Sequence, residues 1–310
     1  MTELSVTGRI TNNLNLIAGG LVDVIKGDLG TRGGKYETER QALYTQADYS
    51  LSDKTKLTWG IQWNKPKDVD ADISPRLAIV YKYAPTLTLK TLYAKAFRSP
   101  YGSELFFDSP FLIGDKDIKS ETIQTLEAQA IYQSDDFVGS VTLYQSEAED
   151  LIGRQIIDGT PTFVNEEEAI SYAGIEFEWN WQLKRNLRFQ GNASYLTNED
   201  ESGQENVMVA ANDMVKFGIT YHPNTRMSVG VWNSYFGSAN KLEDLEGNST
   251  VVVNPESKAA NLLSLNVSTN LGYLTSNSTL DAFSVSLFVN NVLDDEIWYP
   301  ELGRRIANTF

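Results

Sequence analysis

Apolar and polar residues alternate with a period of two along most of this chain. Between Ala169 and Trp181 the odd positions are mostly apolar or aromatic, whereas the even positions include Glu176 and Glu178. The same alternation recurs from end to end, for example between Phe283 and Val289 and between Leu263 and Tyr273, where it includes Leu271. A period of two is typical of β-strands that have one apolar and one polar face. We count about fifteen such segments, so the pattern predicts an all-β, antiparallel protein.

The connections between these segments alternate between short and long. The short ones fall at Asn12-Asn13, Ser52 to Thr55, Ala84 to Thr86, Ser134 to Asp136, Lys184 to Asn186 and Pro223 to Thr225. The long ones run roughly over Gly27 to Thr38, Asn64 to Ser74, Ser99 to Ile118, Gly153 to Glu168, Asn198 to Asn212, Gly237 to Ala260 and Asn291 to Gly303. Bacterial outer-membrane barrels have this asymmetry, with short periplasmic turns and long outer loops, whereas a β-sandwich does not require it. Tyrosines and tryptophans near the strand ends fit an interfacial girdle. The sequence therefore predicts a transmembrane up-and-down β-barrel in contact with outer-membrane lipid and lipopolysaccharide.

Composition excludes several classes of function. With 26 Lys and Arg against 41 Asp and Glu, the net charge of −15 repels nucleic-acid phosphate. There is no cysteine and only one histidine, His222, which excludes thiolate metal sites and sites built on several histidines. We expect no cofactor. Some outer-membrane barrels hydrolyse lipids with a Ser/His pair, but His222 lies beside a short turn, away from the outer face, so we expect no enzyme.

An odd number of strands has a consequence for where the first one starts. Closed bacterial barrels normally have an even strand number with both chain ends on the periplasmic side. If the last strand runs down to Phe310, the first one, about Leu4 to Ile10, also runs down and begins outside. The start at Met1 lacks the pattern of a signal peptide. We therefore expect the chain to be the C-terminal part of a longer barrel.

Short motifs occur in a fixed order on this pattern. They are Ser74 to Ala78, Tyr93 to Pro100 with Glu104-Leu105, Lys119 to Thr122 leading to Leu126-Glu127, Asp150 to Ile152, Gly174 to Glu176, Asn290 to Asp294, Gly303-Arg304 and Phe310. Together they resemble the TonB-dependent outer-membrane receptors. The residues that carry the resemblance are Phe97, Arg98, Pro100, Glu104, Leu105, Glu121, Glu127, Gly174, Glu176, Asn291, Asp294, Gly303, Arg304 and Phe310. The stretch Gly114 to Glu121 departs from the family because it lacks the prolines often found there.

The resemblance implies an outer-membrane receptor for active uptake of a scarce nutrient, most often a ferric siderophore, haem or cobalamin. It implies energy coupling to the TonB complex through an N-terminal region, and a barrel of about 22 strands around a plug domain. Residues 1–310 would then be the C-terminal part of that barrel, with the plug and the early strands absent. The alternative is a passive porin or an adhesin barrel, which shares the alternation but not the motif order.

The long loops hold the candidate binding residues, because binding residues concentrate on loops held by a rigid scaffold. Tyr101, Phe106, Phe107 and Phe111 make one loop aromatic, so their rings are candidates to contact an aromatic ligand or a metal chelate. Packing of the loop on itself explains them equally well.

Charged residues in the loops and strands have alternatives as well. Arg98 and Glu104 are expected either to tie this aromatic loop to its strand or to remain two solvated rim charges. Asp68, Asp70 and Asp72 alternate like oxygen ligands for Ca²⁺ but lack the glycine and terminal glutamate of a calcium loop, so we expect no metal site. Glutamates on the polar strand faces are expected to line the lumen, mainly as structural filling; they are Glu121, Glu127, Glu176 and Glu178.

Overall fold

The computed structural model describes residues 1–207, 210–239 and 257–298, and nearly all regular structure in them is β. The strands are β1 (Thr2–Thr11), β2 (Leu14–Asp28), β3 (Lys35–Ser50), β4 (Thr55–Pro66), β5 (Asp72–Ala84), β6 (Leu87–Arg98), β7 (Asp108–Ser109), β8 (Leu112–Ile113), β9 (Glu121–Gln133), β10 (Phe137–Glu149), β11 (Ile152–Ile157), β12 (Thr160–Asn165), β13 (Ile170–Lys184), β14 (Leu187–Asp200), β15 (Asp213–Asn224), β16 (Met227–Phe236), β17 (Ala260–Asn270) and β18 (Ser284–Val289). The helices are α1 (Gly102–Phe106), α2 (Leu271–Thr275) and the 3₁₀ turns Gly30–Arg32 and Ser278–Leu280.

The strands form two sheets. In the described part of the chain the large sheet has fourteen strands, in the order β1-β2-β3-β4-β5-β6-β9-β10-β13-β14-β15-β16-β17-β18. Its neighbours are consecutive along the chain except where strands of the small sheet intervene. The small sheet has the order β11-β12-β8-β7. The prediction of an antiparallel all-β fold is confirmed. The fifteenth predicted segment, with Gly303, Arg304 and Phe310, lies outside the described residues.

The six predicted short turns are confirmed, but the alternation is not strict. The seventh connection on that side, between β17 and β18, spans residues 271–283 and contains α2 and a 3₁₀ turn. Our interpretation of Leu271 and Tyr273 as strand residues was wrong. The reason is local: the Asn270 side chain accepts a hydrogen bond from the Tyr273 N–H at 3.1 Å, which caps a helix at the end of β17.

Two of the predicted long loops also contain regular structure. The segment Gly153 to Glu168 is a hairpin of β11 and β12, and the segment Ser99 to Ile118 contains α1, β7 and β8. Thr162 of β12 pairs in parallel with Ile113 of β8, which joins the two loops into the small sheet. Both segments were predicted only as long connections, and the strands within them were not predicted. The parallel pairing of β12 with β8 joins segments that are distant in sequence, and such pairing leaves no periodic signal in either segment.

The chain divides into two compact units. The first comprises residues 1–128, 144–172 and 200–203 and contains β1 to β6, α1 and the small sheet. Within the described residues, the second comprises 129–143, 173–199, 204–207, 210–239 and 257–298 and contains most of β13 and β14, with β15 to β18.

In the first unit the register keeps apolar residues on one face. Trp59 of β4 lies opposite Ala47 of β3 and Leu77 of β5, while Thr58 lies opposite Asp48 and Ala78. Many of the large side chains on the apolar face stay exposed, among them Leu43, Trp59, Ile61, Ile73, Leu77 and Ile79. A water-soluble sheet packs such a face against another layer, so this face requires an apolar environment.

The second unit has the same arrangement. Phe189 of β14 lies opposite Ile219 of β15, which lies opposite Val231 of β16. The neighbouring polar row pairs Asn192 with Lys216. No helix among the described residues has the length and apolar character needed to cross a membrane.

Candidate functional site: a cluster of loops at one end of the large sheet

The buried apolar core of the first unit lies among the long loops, not on the sheet. Val69, Leu105, Ile118 and Phe163 form this loop core, with Leu105 only 4% exposed. Phe106, Leu112 and Ile152 pack against it. Burying a large apolar side chain stabilises by roughly 1.5 to 3 kcal/mol. The loop core therefore holds the β4–β5 loop, the β6–β9 loop and the β11–β12 hairpin as one ordered cluster.

Polar contacts from Asn165 hold the base of the hairpin. Its amide nitrogen donates to the carbonyl oxygens of Asp150 at 2.7 Å and Lys119 at 3.1 Å. Its side-chain oxygen accepts from the Lys119 N–H at 2.8 Å. Asn165 therefore closes the hairpin and joins it to the residues that precede β9.

A charged network sits beneath the loop core at the end of β6. The Arg98 guanidinium donates to both Glu104 oxygens at 3.0 and 3.2 Å, and from Nε and Nη2 to Glu121 at 2.5 and 2.7 Å. Glu121 also accepts the Ile152 N–H at 2.8 Å, and Glu104 accepts the Tyr101 N–H at 2.7 Å. One arginine thus links β6, α1, β9 and β11. Of the two alternatives for Arg98 and Glu104, the structure has the ion pair, and Glu121 belongs to the same network.

The network favours the charged forms of its members. Arg98 is the last residue of β6 and Glu121 is the first residue of β9, so both lie at the loop ends of their strands. The hydrogen bonds from Arg98 lower the pKa of Glu121, partly opposed by burial, and the Ile152 N–H lowers it further. The hydrogen bond to Glu121 raises the pKa of Arg98, which burial opposes. Fork-shaped Arg–carboxylate pairs are stronger and more directional than single hydrogen bonds.

The four aromatic residues predicted to bind a ligand have different positions. Phe106 stacks on Tyr36, with ring centroids 5.4 Å apart and planes at 27°, and it packs against the loop core. Phe107 is half-buried. Tyr101 is 63% exposed and its ring centroid lies 5.0 Å from Arg98 Cζ. Phe111, at the tip between β7 and β8, is 83% exposed. Self-packing thus accounts for Phe106, while Tyr101 and Phe111 remain accessible.

A cleft of about 800 Å³ opens beside these rings, between the β2–β3 loop and the β6–β9 loop. Its lining residues are Thr31, Gly33, Gly34, Lys35, Tyr36, Leu105, Phe106, Phe107, Asp108, Ile113, Gly114, Asp115 and Lys116. The Lys116 ammonium lies 5.8 Å from the Phe106 ring centroid. The cleft thus presents three aromatic rings with two lysines and two aspartates around them.

Tyr36 and the two lysines were missed by sequence reasoning. The only local signal was glycine: a Cβ on Gly27 or on Gly102 would overlap the Tyr36 ring, so both positions leave room for it. Those glycines lie far apart in sequence on either side of Tyr36. That both glycines make room for the Tyr36 ring is visible only in the folded arrangement of the loops.

Other predicted residues lie elsewhere. Leu105 is in the loop core, whereas Asp72 accepts a hydrogen bond from Ser120 at 2.7 Å instead of forming an acidic cluster. Asn291 accepts the Asp295 N–H at 3.1 Å, and Asp295 in turn accepts the Asn261 N–H of β17 at 2.7 Å. The remaining motif residues are half-buried or exposed; they are Phe97, Pro100, Glu127, Gly174, Glu176 and Asp294.

Comparison with known proteins gives consistent results at the level of sequence and of structure. A curated relative, the iron-regulated outer membrane virulence protein of Vibrio cholerae, is 22% identical over 288 residues, covering 85% of this chain and 43% of the relative. A point variant of the ferric enterobactin receptor PfeA of Pseudomonas aeruginosa superposes with a TM-score of 0.80 at 16% identity, covering 98% of this chain and 49% of that one.

Two further solved structures share the fold. The siderophore receptor PirA of Pseudomonas aeruginosa has a TM-score of 0.73 at 17% identity, with 94% of this chain and 50% of that chain covered. The FrpB iron transporter of Neisseria meningitidis has a TM-score of 0.72 at 16% identity, with coverages of 96% and 50%. The chain thus spans about half the length of the proteins it matches. The family model described as TonB dependent receptor-like, beta-barrel matches residues 5–292, and the chain therefore belongs to that family.

Proposed function

We propose that this chain serves in a receptor for TonB-dependent active uptake of a ferric siderophore or a similar iron, haem or cobalamin chelate. Family membership places it in the outer membrane of a bacterium. The names of its relatives support iron as the nutrient, since they include an iron-regulated protein, siderophore receptors and an iron transporter. The proposal is uptake without covalent chemistry.

The observation that carries the proposal is the ordered cleft among the long loops. Iron chelates built on catecholates present aromatic rings and carry a net negative charge. The rings of Tyr36 and Phe106 offer apolar contact, and Lys35 and Lys116 offer positive charge. Asp108 and Asp115 in the same lining favour a ligand that also presents hydrogen-bond donors or a cationic edge.

The rigidity of the loop cluster supports a binding role. A surface held by a buried core and by the Arg98 network is ordered before a ligand arrives, so less conformational entropy is lost on binding. Energy would come from the TonB complex through the N-terminal region of the receptor, and lipid with lipopolysaccharide would cover the apolar face. Residues 1–310 would contribute the C-terminal part of the barrel.

Binding in detergent tests the proposal. Ferric catecholate, ferric hydroxamate, haem and cyanocobalamin are titrated separately, each beside its metal-free form, and tryptophan fluorescence or calorimetry reports affinity. We expect one class to bind. The double variant Lys35→Glu, Lys116→Glu should weaken an anionic chelate by roughly tenfold or more, since two attractive charges become repulsive. Lys54→Glu, in the short turn between β3 and β4, makes the same kind of charge change away from the cleft and should have no effect.

The outcomes separate the proposal from a passive porin or an adhesin barrel. Saturable binding of one chelate that the cleft variant weakens supports a receptor. Failure of every chelate to bind, together with diffusion of unrelated small solutes, would support the porin instead. Chelate binding that is unchanged in the Lys35→Glu, Lys116→Glu variant would still support a receptor, but it would show that this cleft is not the ligand site.

A further inference from the structure

The small sheet ends in a strand with one open edge. Its order places β11 at one end, next to β12 only. The last four of the six residues of β11, Arg154 to Ile157, are exposed. The strand at the opposite end of this sheet, β7, has only two residues. Among the strands of the small sheet, β11 therefore presents the longer free edge.

The pairing shows which backbone groups are free. Asp158 and Gly159 have φ values of 50° and 81°, which fits the two-residue turn with positive φ at both positions that closes a tight hairpin. The pair that flanks such a turn, Ile157 with Thr160, exchanges hydrogen bonds, and bonded and non-bonded pairs then alternate.

Two further observations agree with this assignment. Ile156 falls in a non-bonded pair with Pro161, which has no N–H to offer. The Ile152 N–H, also in a non-bonded pair, points away from β12 and donates to Glu121. The N–H and C=O groups of Arg154 and Ile156 consequently face away from β12, along the open edge.

The edge is presented on a rigid support. Phe163 of β12 lies in the loop core, and the Arg154 guanidinium carbon lies 5.2 Å from the centroid of its ring. Glu121 and Asn165 hold the base of the hairpin by the hydrogen bonds described above. An incoming strand would not have to order this edge first, which lowers the entropic cost of pairing.

Devices that usually protect an edge are sparse here. Proteins blunt edges with proline, lysine, a bulge or a covering segment. The pairing of β11 with β12 is regular, without a bulge, and β11 contains neither proline nor lysine. Instead Ile156 is 70% exposed and its neighbour Ile157, on the opposite face, is 45% exposed. An added strand could cover apolar surface on both faces as well as satisfy the backbone.

Charge selects the kind of strand that fits. The segment from Asp150 to Glu168 carries five carboxylates and one arginine, and the whole chain has a net charge of −15. A second copy of this chain would bring the same negative charge and be repelled. A basic polypeptide would be attracted and steered to the edge.

We propose that the open edge of β11 binds an extended, basic segment of another polypeptide as an added antiparallel strand. Main-chain hydrogen bonds to Arg154 and Ile156 would give affinity, and alternate apolar side chains would cover Ile156 and Ile157. This site is separate from the chelate cleft, and it makes the loop cluster a docking point for a protein as well.

The test uses the full chain in lipid nanodiscs and a labelled eight-residue peptide of alternating lysine and valine with blocked ends. Fluorescence anisotropy measures its affinity, and hydrogen exchange of the Arg154 and Ile156 amides reports the contact. Two control peptides are the same sequence with N-methyl groups at alternate residues, which cannot pair, and a lysine/glycine repeat of equal charge with low strand propensity.

We expect the lysine/valine peptide to bind and to slow exchange of both amides. The two control peptides should bind at least about tenfold more weakly. The N-methylated peptide loses the edge hydrogen bonds, and the lysine/glycine peptide loses the apolar contacts. Adding salt should weaken binding, because the attraction is partly long-range. Equal binding of the N-methylated peptide would show that the edge hydrogen bonds are not used, and equal binding of the lysine/glycine peptide would show that charge alone is responsible. Either result would overturn the proposal, as would the absence of binding.

A variant of the protein gives an independent arm. Ile156→Pro removes an edge N–H without removing a hydrogen bond to β12, so the hairpin should persist, as protection of the Gln155 and Thr162 amides would verify. Binding of the lysine/valine peptide should fall about tenfold. Ile156→Thr keeps the N–H and should bind more tightly than the proline variant. Unchanged binding by Ile156→Pro with an intact hairpin would contradict the proposed pairing.

Discussion

Replacement of Arg98 by methionine removes the one cation that joins two carboxylates. Methionine keeps a side chain of similar length, so the main loss is charge and hydrogen bonding. Glu104 and Glu121 have side chains only 11% and 19% exposed, and both would be left facing one another without a positive partner. The Ile152 and Tyr101 amides would remain as donors, one to each carboxylate.

The magnitude follows from burial. Removing one partner of a fully buried ion pair costs about 3 to 5 kcal/mol, whereas exposed pairs contribute about 0 to 1 kcal/mol. Arg98 itself is 32% exposed, so we place the cost between these limits, at about 2 to 3 kcal/mol. The loss should destabilise the loop cluster locally and increase its open population roughly 30- to 150-fold.

Hydrogen exchange measured by mass spectrometry is the assay. Peptides covering residues 99–120 and 150–166 should exchange faster in Arg98→Met, while peptides from the β3–β4 turn should be unchanged. Arg188→Met removes an exposed arginine at the short-turn end of β14 and serves as the control, with no expected effect on either loop. Unchanged exchange of both loops in Arg98→Met would refute the reasoning that this network holds the cluster together.

Three further predictions concern the loops and the apolar face. The pKa of Glu121 is lowered in the folded protein, so its charged form stabilises the fold. This stabilisation is complete above the ordinary glutamate pKa and is lost as the pH falls through the lowered pKa of the folded state. Protection of the loops from hydrogen exchange should therefore stay constant from pH 7 to about 5 and decline below about 4. Gly102→Val should displace the Tyr36 ring and speed proteolysis of the β6–β9 loop, whereas the added variant Tyr36→Ala should relieve this effect. Phe177→Arg should cost roughly 2 to 4 kcal/mol in lipid-embedded unfolding experiments, and Asn180→Arg much less, since only the first residue lies on the apolar face.

Much of the large sheet could be predicted from the sequence because period-two alternation is a local signal. Each strand face is already apolar or polar before any partner is present, and turns such as Asn12-Asn13 carry their own chemistry. The exception after Asn270 has a local cause as well. There the apolar residues Leu271 and Tyr273 continue the alternation, but the Asn270 side chain caps a helix that begins after it.

The loop cluster was predictable only in part because it depends on contacts between distant segments. Arg98 and Glu104 are close in sequence, so their pairing was among the alternatives. Glu121 and Phe163 join the same cluster from other loops, and no spacing in the sequence connects them. The aromatic residues were recognised as a group, but only the arrangement of the loops separates buried Phe106 from exposed Phe111.

Uptake of radioactive iron by iron-starved cells tests the central claim most directly. A strain lacking its own receptors carries this protein from its native gene, with and without TonB, and is supplied with the ferric chelate that binds in detergent. The account predicts saturable accumulation that disappears without TonB and falls sharply in the Lys35→Glu, Lys116→Glu variant. Accumulation that persists without TonB and rises linearly with concentration would contradict it.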